Sequence, residues 1–206
     1  MIEVKTLVLG DIYTNTYIIK DKSTGALAVI DPACNSDRLV EAINEWGGDL
    51  KYILLTHGHF DHIGGVKYVL EHFSPQVLIS ADEMTLLNTP NLNGSAWHNL
   101  HIDEIKVDRE LNDKDTIALG DTEITFITTP GHTSGSGCYI VDDVIFSGDT
   151  LFCQSVGRTD FPTSNGKDMM LSLMRLNDLK GDYIVYPGHD VKTTLNNERK
   201  YNPYMR

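Results

Sequence analysis

Basic residues are scarce in this sequence: 17 Lys and Arg stand against 29 Asp and Glu, a formal net charge of −12. A polyanion would be repelled unless a local basic patch prevailed, and none is visible, so nucleic acid is set aside as a partner. Long hydrophobic runs are missing too. The longest is Ala26 to Ile30, against the ~20 apolar residues of a membrane helix, so no membrane span is expected. Cysteine is sparse: Cys34, Cys138 and Cys153 are widely spaced and odd in number, which suits reduced thiols in a cytoplasm better than a disulfide framework. The opening MIEVKTLVLG lacks the basic start, long apolar middle and cleavage site of a secretory signal, and cytoplasmic residence is the expectation. No linker rich in Pro, Gly or Ser and no fixed-period repeat divides the chain, so residues 1–206 are read as one domain.

What is present is an ordinary globular composition, 41% hydrophobic and 22% charged, in which strand and helix patterns alternate. Apolar and β-branched clusters predict strands at 4–9, 13–20 and 26–30, paired antiparallel. Residues 37–46 carry Leu39, Val40, Ile43 and Trp46 at helical spacing, with Ser36 as N-cap and Gly47-Gly48 as the stop. A strand at 52–56, a helix at 63–73 and a strand at 77–80 follow. Further strands are expected at 105–108, 115–119, 122–128, 137–141, 143–147 and 183–186, with helices at 169–179 and 194–201. The polar stretch 88–103 reads as a surface loop, either bordering a site or merely connecting. Cys138 reads as core and Cys153 as a buried structural thiol.

Three of the eight histidines and one aspartate lie within six positions in LTHGHFDHIGG, residues 55–65. A helix would put His57 and His59 on opposite sides, since two steps advance about 200°. An extended loop after strand 52–56 aims both at one ion instead. Asp61 and His62 then lie beyond a turn, for which Gly58, Gly64 and Gly65 supply backbone freedom. Four donors exceed what one catalytic ion with an open position takes, so a pair of ions with further ligands is inferred. His132 in TPGH, Asp149 in SGD and His189 in YPGH each follow an apolar strand and a glycine, which brings them to the same sheet edge. His72, His98 and His101 have no such setting and read as ordinary surface residues.

The motifs THGHFDH, PGH, GD and PGH, with Asp31 in AVIDP upstream, make the sequence resemble the metallo-β-lactamase superfamily along nearly the whole chain. The resemblance implies an αββα sandwich with metals at one edge of two facing sheets. By motif position it gives one metal to His57, His59 and His132, a second to Asp61, His62 and His189, and a bridging role to Asp149. Asp31 is implied as a carboxylate supporting the ligands; ordinary turn chemistry before Pro32 is the other reading. Within the superfamily, GDTLF at 148–152, VGRTDFP at 156–162 and the tail PGHDVKTTLNNERKYNP are similar to the glyoxalase II group. That likeness implies hydrolysis of a small-molecule thioester to a hydroxy acid and a thiol, with Asp61 and Asp149 catalytic and two divalent ions bound, zinc foremost and iron or manganese as alternatives. The sequence departs from longer members in showing no C-terminal helical domain for glutathione, and in having Arg158 and Asp160 where the group has Lys and Tyr. Arg158 is left with two readings: a clamp on a substrate carboxylate, or a partner of Asp160. No G-x-S-x-G elbow is present, which argues against a serine hydrolase. The rival class is a persulfide dioxygenase, similar in its GRTDF-like segment, holding one iron by His57, His132 and Asp149. A flavodiiron-type electron carrier has Glu where this chain has His59.

Overall fold

The computed structural model describes residues 1–206. In chain order the elements are β1 (Ile2–Leu9), β2 (Thr14–Asp21), β3 (Leu27–Ile30), α1 (Asp37–Trp46), β4 (Leu50–Leu54), α2 (Phe60–Ile63), α3 (Val66–His72), β5 (Gln76–Ser80) and α4 (Met84–Leu87). There follow β6 (Arg109–Leu111), β7 (Thr116–Leu119), β8 (Thr122–Thr128), β9 (Gly137–Val141), β10 (Val144–Gly148), β11 (Leu151–Phe152) and β12 (Ser155–Val156). The last elements are α5 (Gly166–Asn177), β13 (Ile184–Pro187), β14 (Thr193–Thr194) and α6 (Leu195–Tyr201). One six-stranded sheet runs β1-β2-β3-β4-β5-β6 and the other β14-β13-β10-β9-β8-β7.

Alternation along the strands dictates the layering. Leu27 and Val29 of β3 pack with Leu39, Ile43, Val66 and Val69 of α1 and α3, while Ala28 and Ile30 face the second sheet. Every residue of β3 is buried, so the strand needs cover on both faces. Between the sheets, Tyr17, Ile30 and Leu54 meet Phe126, Tyr139 and Phe146. Each such side chain stabilises by about 1.5–3 kcal/mol on full burial. On the far side Met169, Leu173 and Leu176 of α5 cover Ile127, Ile145 and Val185. Helix, sheet, sheet and helix therefore stack in four layers, an αββα sandwich. No helix is long and apolar enough to cross a membrane.

The early strands pair antiparallel as expected, and β3, β4, β5 and β6 run parallel. Several details differ from the sequence expectations. The strand expected at 105–108 lies instead at Arg109–Leu111, because β5 pairs Leu78 with Arg109. Ile105 is apolar because it plugs the core from a loop, with its backbone held at both ends by Asn88. The helix at 63–73 is broken at Gly64-Gly65. There the backbone is ordinary right-handed α, with φ of −60° and −96°, so freedom to turn is not what these glycines supply. A Cβ on Gly64 would lie 2.6 Å from the Ala33 carbonyl, and one on Gly65 would collide with that of Cys34. Ser36 sits at the N-cap of α1 but makes no capping bond; Asn165 caps α5 through Lys167 N and Asp168 N. Cys153 is only half-buried, contrary to expectation, because it lies in the turn of the β11–β12 hairpin, which sequence spacing did not reveal.

Candidate metal centre

All the site segments leave the same edge of the sandwich. Asp31 follows β3 and the histidine stretch follows β4, which run parallel. Asp149 follows β10 and His189 follows β13, also parallel. His132 follows β8, which reaches the same orientation through two antiparallel pairings. Five strand ends thus deliver eight polar side chains to one place.

There they converge. The ligand atoms of His57, His59 and His132 lie within 4.8 Å of one another, as do those of Asp61, His62 and His189, and those of His57, His62 and Asp149. His59 Nδ1 faces His132 Nε2 at 2.9 Å. Asp149 reaches into both groups: Oδ2 is 3.4 Å from His132 Nε2 and 3.6 Å from His189 Nε2, and Oδ1 is 3.4 Å from His62 Nε2. His57 Nε2, His59 Nε2, His62 Nε2 and Asp149 Oδ1 are buried without a hydrogen-bond partner. Burying such atoms unpaired costs about 1–3 kcal/mol each. Histidine nitrogens and carboxylate oxygens around a common centre are the donor set of a divalent metal, so the residues fit such an ion.

His62, His132 and His57 are held from behind. His62 Nδ1 donates to Asp31 Oδ2 at 2.8 Å, leaving Nε2 for the centre. Asp31 also accepts from Thr56 N and Oγ1 at 2.8 and 2.6 Å. It does so from a left-handed backbone, φ 49°, which Asp tolerates better than most residues. Turn residue and ligand support are thus one role. His132 Nδ1 donates to the Arg158 carbonyl at 2.9 Å, and His57 Nδ1 lies 3.1 Å from Thr56 Oγ1. Such contacts fix which ring nitrogen meets a metal. A Cβ on Gly188 would collide with Asp149 Oδ1, so only glycine admits the Asp149 carboxylate there.

Charge divides the centre. Burial drives His57 well below the ordinary imidazole range, and burial with the His132 ring beside it takes His59 to about 3. Burial works against the His62 imidazolium as well, yet Asp61, Asp149 and Asp31 outweigh it and raise its pKa. Burial raises the Asp149 carboxyl, but His62 foremost brings it down to about 2. The carboxylate side therefore calls for positive charge, while His57 and His59 offer neutral nitrogen donors.

Sequence reasoning missed three supporting residues. Thr14 Oγ1 donates to Asp61 Oδ2 at 2.9 Å. The Asn15 amide holds the Pro187 and Asp190 carbonyls on either side of His189 at 3.0 and 2.9 Å. No signal along the chain separates Thr14-Asn15-Thr16 from the other polar residues of the same strand, Lys20 and Asp21. Glu83 is fully buried and accepts from Gly58 N, Thr133 Oγ1 and Gly135 N. Burial raises its pKa while those three donors pull it down. Nothing in its neighbours along the chain marks it.

A cavity of about 600 Å³ opens over the centre. Ile12, Phe60, Trp97, Phe152 and Phe161 supply its apolar walls. Trp97 brings the stretch 88–103 to the site, anchored by Phe60 N donating to the Asn93 carbonyl. His98 also lines the cavity, its ring 4.5 Å from that of Phe60; His72 and His101 stay outside. Arg158 is the one Lys or Arg in the lining. Its Nε and Nη2 donate to Asp160 at 2.7 and 2.8 Å, and its guanidinium lies 4.3 Å over Phe161.

A four-layer α/β sandwich with a histidine and carboxylate cluster at its strand ends defines a metal-binding class of protein. The chain belongs to the metallo-beta-lactamase superfamily, whose family model matches residues 9–189. It is 33% identical to the hydroxyacylglutathione hydrolase GloC of Haemophilus influenzae over 196 residues, 93% of this chain and 92% of that protein. Among solved structures, the BLEG-1 B3 metallo-beta-lactamase superposes with a TM-score of 0.92 at 33% identity, over 100% of this chain and 99% of that one. ETHE1 from Myxococcus xanthus gives 0.82 at 28%, over 98% and 83%.

Proposed function

We propose that the chain is a single-domain, binuclear metal-dependent hydrolase of small-molecule thioesters. The observation that carries this reading is the pair of complete ligand groups, His57, His59 and His132 beside Asp61, His62 and His189, joined by Asp149. When bound, two divalent ions lower the pKa of a shared water from 15.7 to about 7 and polarise the scissile carbonyl. Asp149 bridges the two groups and keeps them in register. Asp61, held by Thr14 and 3.3 Å from His189 Nε2, would hold one ion and orient the attacking water. A thiolate leaving group and nitrogen-rich ligands both suit zinc, a borderline-soft ion.

The walls shape the substrate. Aromatic side chains surround the approach, and the only Lys or Arg of the lining, Arg158, is already paired with Asp160, which favours a thioester whose arm is apolar over one with several carboxylates. The likeness to GloC supports the thioester reaction, and the likeness to BLEG-1 adds lactams to the compounds worth assaying. A second reading rests on the likeness to ETHE1: a mononuclear iron dioxygenase using His57, His132 and Asp149. Metal content per chain after anaerobic purification, with thioester cleavage compared against persulfide-dependent oxygen uptake, separates them. Two metals and cleavage support the hydrolase; one iron and oxygen uptake overturn it.

A further inference from the structure

Ligand loops need more than strands to hold them, since the histidine stretch leaves β4 and the His132 loop leaves β8 in different sheets. Gly58 lies between His57 and His59; Thr133 and Gly135 follow His132. Between these loops stands the carboxylate of Glu83, wholly buried and forming no ion pair, with every partner a hydrogen-bond donor. Oε2 accepts from Gly58 N at 2.8 Å, and Oε1 accepts from Gly135 N at 2.8 Å and Thr133 Oγ1 at 2.6 Å. A buried carboxylate is costly unless its bonds are fully made. Two backbone N–H groups on separate ligand loops need two acceptor oxygens, and only a carboxylate offers both.

We propose that Glu83 is the positioning residue that clamps the His57–His59 loop to the His132 loop and so sets the three-histidine half of the metal centre. Asp61, His62 and His189 do not depend on it, because Thr14, Asp31 and Asn15 brace them instead. Replacement by glutamine leaves one oxygen for two N–H groups. Whichever way the amide turns, its NH₂ meets a donor, and one loop of the same half is released.

The proposal rests on the binuclear reading, and its test is metal binding by the full-length chain, without an activity assay. Metal-free wild type and Glu83→Gln are titrated with zinc in equilibrium dialysis. Wild type is expected to take two ions per chain; a wild type that takes none or one sinks the binuclear reading itself. In Glu83→Gln one ion should bind roughly 10–100-fold more weakly, the range for groups behind a ligand, and the other unchanged. Identity of the weakened half follows from pairing: Glu83→Gln added to His189→Ala should weaken the remaining ion, and added to His59→Ala it should not. Equal weakening of both ions, or none, in a Glu83→Gln protein with wild-type circular dichroism overturns the assignment. If that variant does not fold, Glu83→Asp keeps the charge on a shorter arm and is expected to weaken the same ion; two tight ions there overturn it equally.

Discussion

The two halves of the centre are built on opposite principles. Asp61, His62 and His189 are braced by charge and by strand residues: Asp31 behind His62, Thr14 on Asp61, Asn15 on the carbonyls flanking His189. His57, His59 and His132 are oriented by a threonine hydroxyl, a backbone carbonyl and a phenylalanine ring 5.2 Å from His59, and the carboxylate on this side, Glu83, bonds to their loops and not to the rings. One half mixes carboxylate with imidazole and the other consists of imidazole alone. A pair of cations satisfies both only if something spans them, which is the place of Asp149.

Removing the span is therefore the largest perturbation. Asp149→Ala should cost both halves their ion and abolish hydrolysis, a loss well beyond the roughly 10–100-fold of a carboxylate behind a ligand. Metal analysis and turnover of a thioester check it; a variant that keeps two ions and measurable turnover breaks the comparison at its centre. Asp31→Asn acts chiefly on one half, because it touches His62 directly but reaches His57 only through Thr56. It should weaken the ion held by Asp61, His62 and His189 by roughly 10–100-fold, while zinc titration shows a smaller loss at the three-histidine ion.

That the site was legible at all follows from its ligands lying directly after strands, in glycine turns that leave short local signatures. His57, His59, Asp61, His62, His132, Asp149 and His189 were all read from such turns, and the structure brings all seven together. Layering was legible only through the resemblance to the superfamily; the physical reason, apolar residues on both faces of β3 and its neighbours, shows in the structure. Glu83 and Asn15 were not, since their partners lie 25 to 175 positions away and long-range hydrogen bonds leave no periodicity. Gly64 and Gly65 were legible as necessary but for the wrong reason: close backbone packing under Ala33 and Cys34 sets the need, and no local rule exposes it.

Thr14→Val sharpens the comparison on a smaller scale. It deletes one hydrogen bond to Asp61 Oδ2 and keeps the β-branched shape of a buried strand residue. A bond to a charged group contributes roughly 1.5–3 kcal/mol, so about tenfold weaker binding of the carboxylate-side ion is the expected result. Unchanged titration would mean Asp61 is held by the His62 and His189 rings alone.

Arg158 tests whether the all-imidazole half extends to the substrate. Its guanidinium is largely exposed, two of its nitrogens are on Asp160, and its flat face covers the Phe161 ring that packs against His59 and His132. Exposed pairs contribute little to stability, so Arg158→Ala should leave the fold intact. An arginine paired in this way has its charge largely satisfied and three N–H donors left, two on Nη1 and one on Nη2, so KM for an apolar thioester should change by less than about threefold, with kcat falling only as far as Phe161 loosens. Thioesters with and without a carboxylate on the thiol arm give the decisive contrast. If only the carboxylate-bearing substrate loses affinity, by tenfold or more as a lost charged contact would require, then Arg158 leaves Asp160 to bind substrate, and the mouth of the cavity is a charged clamp after all.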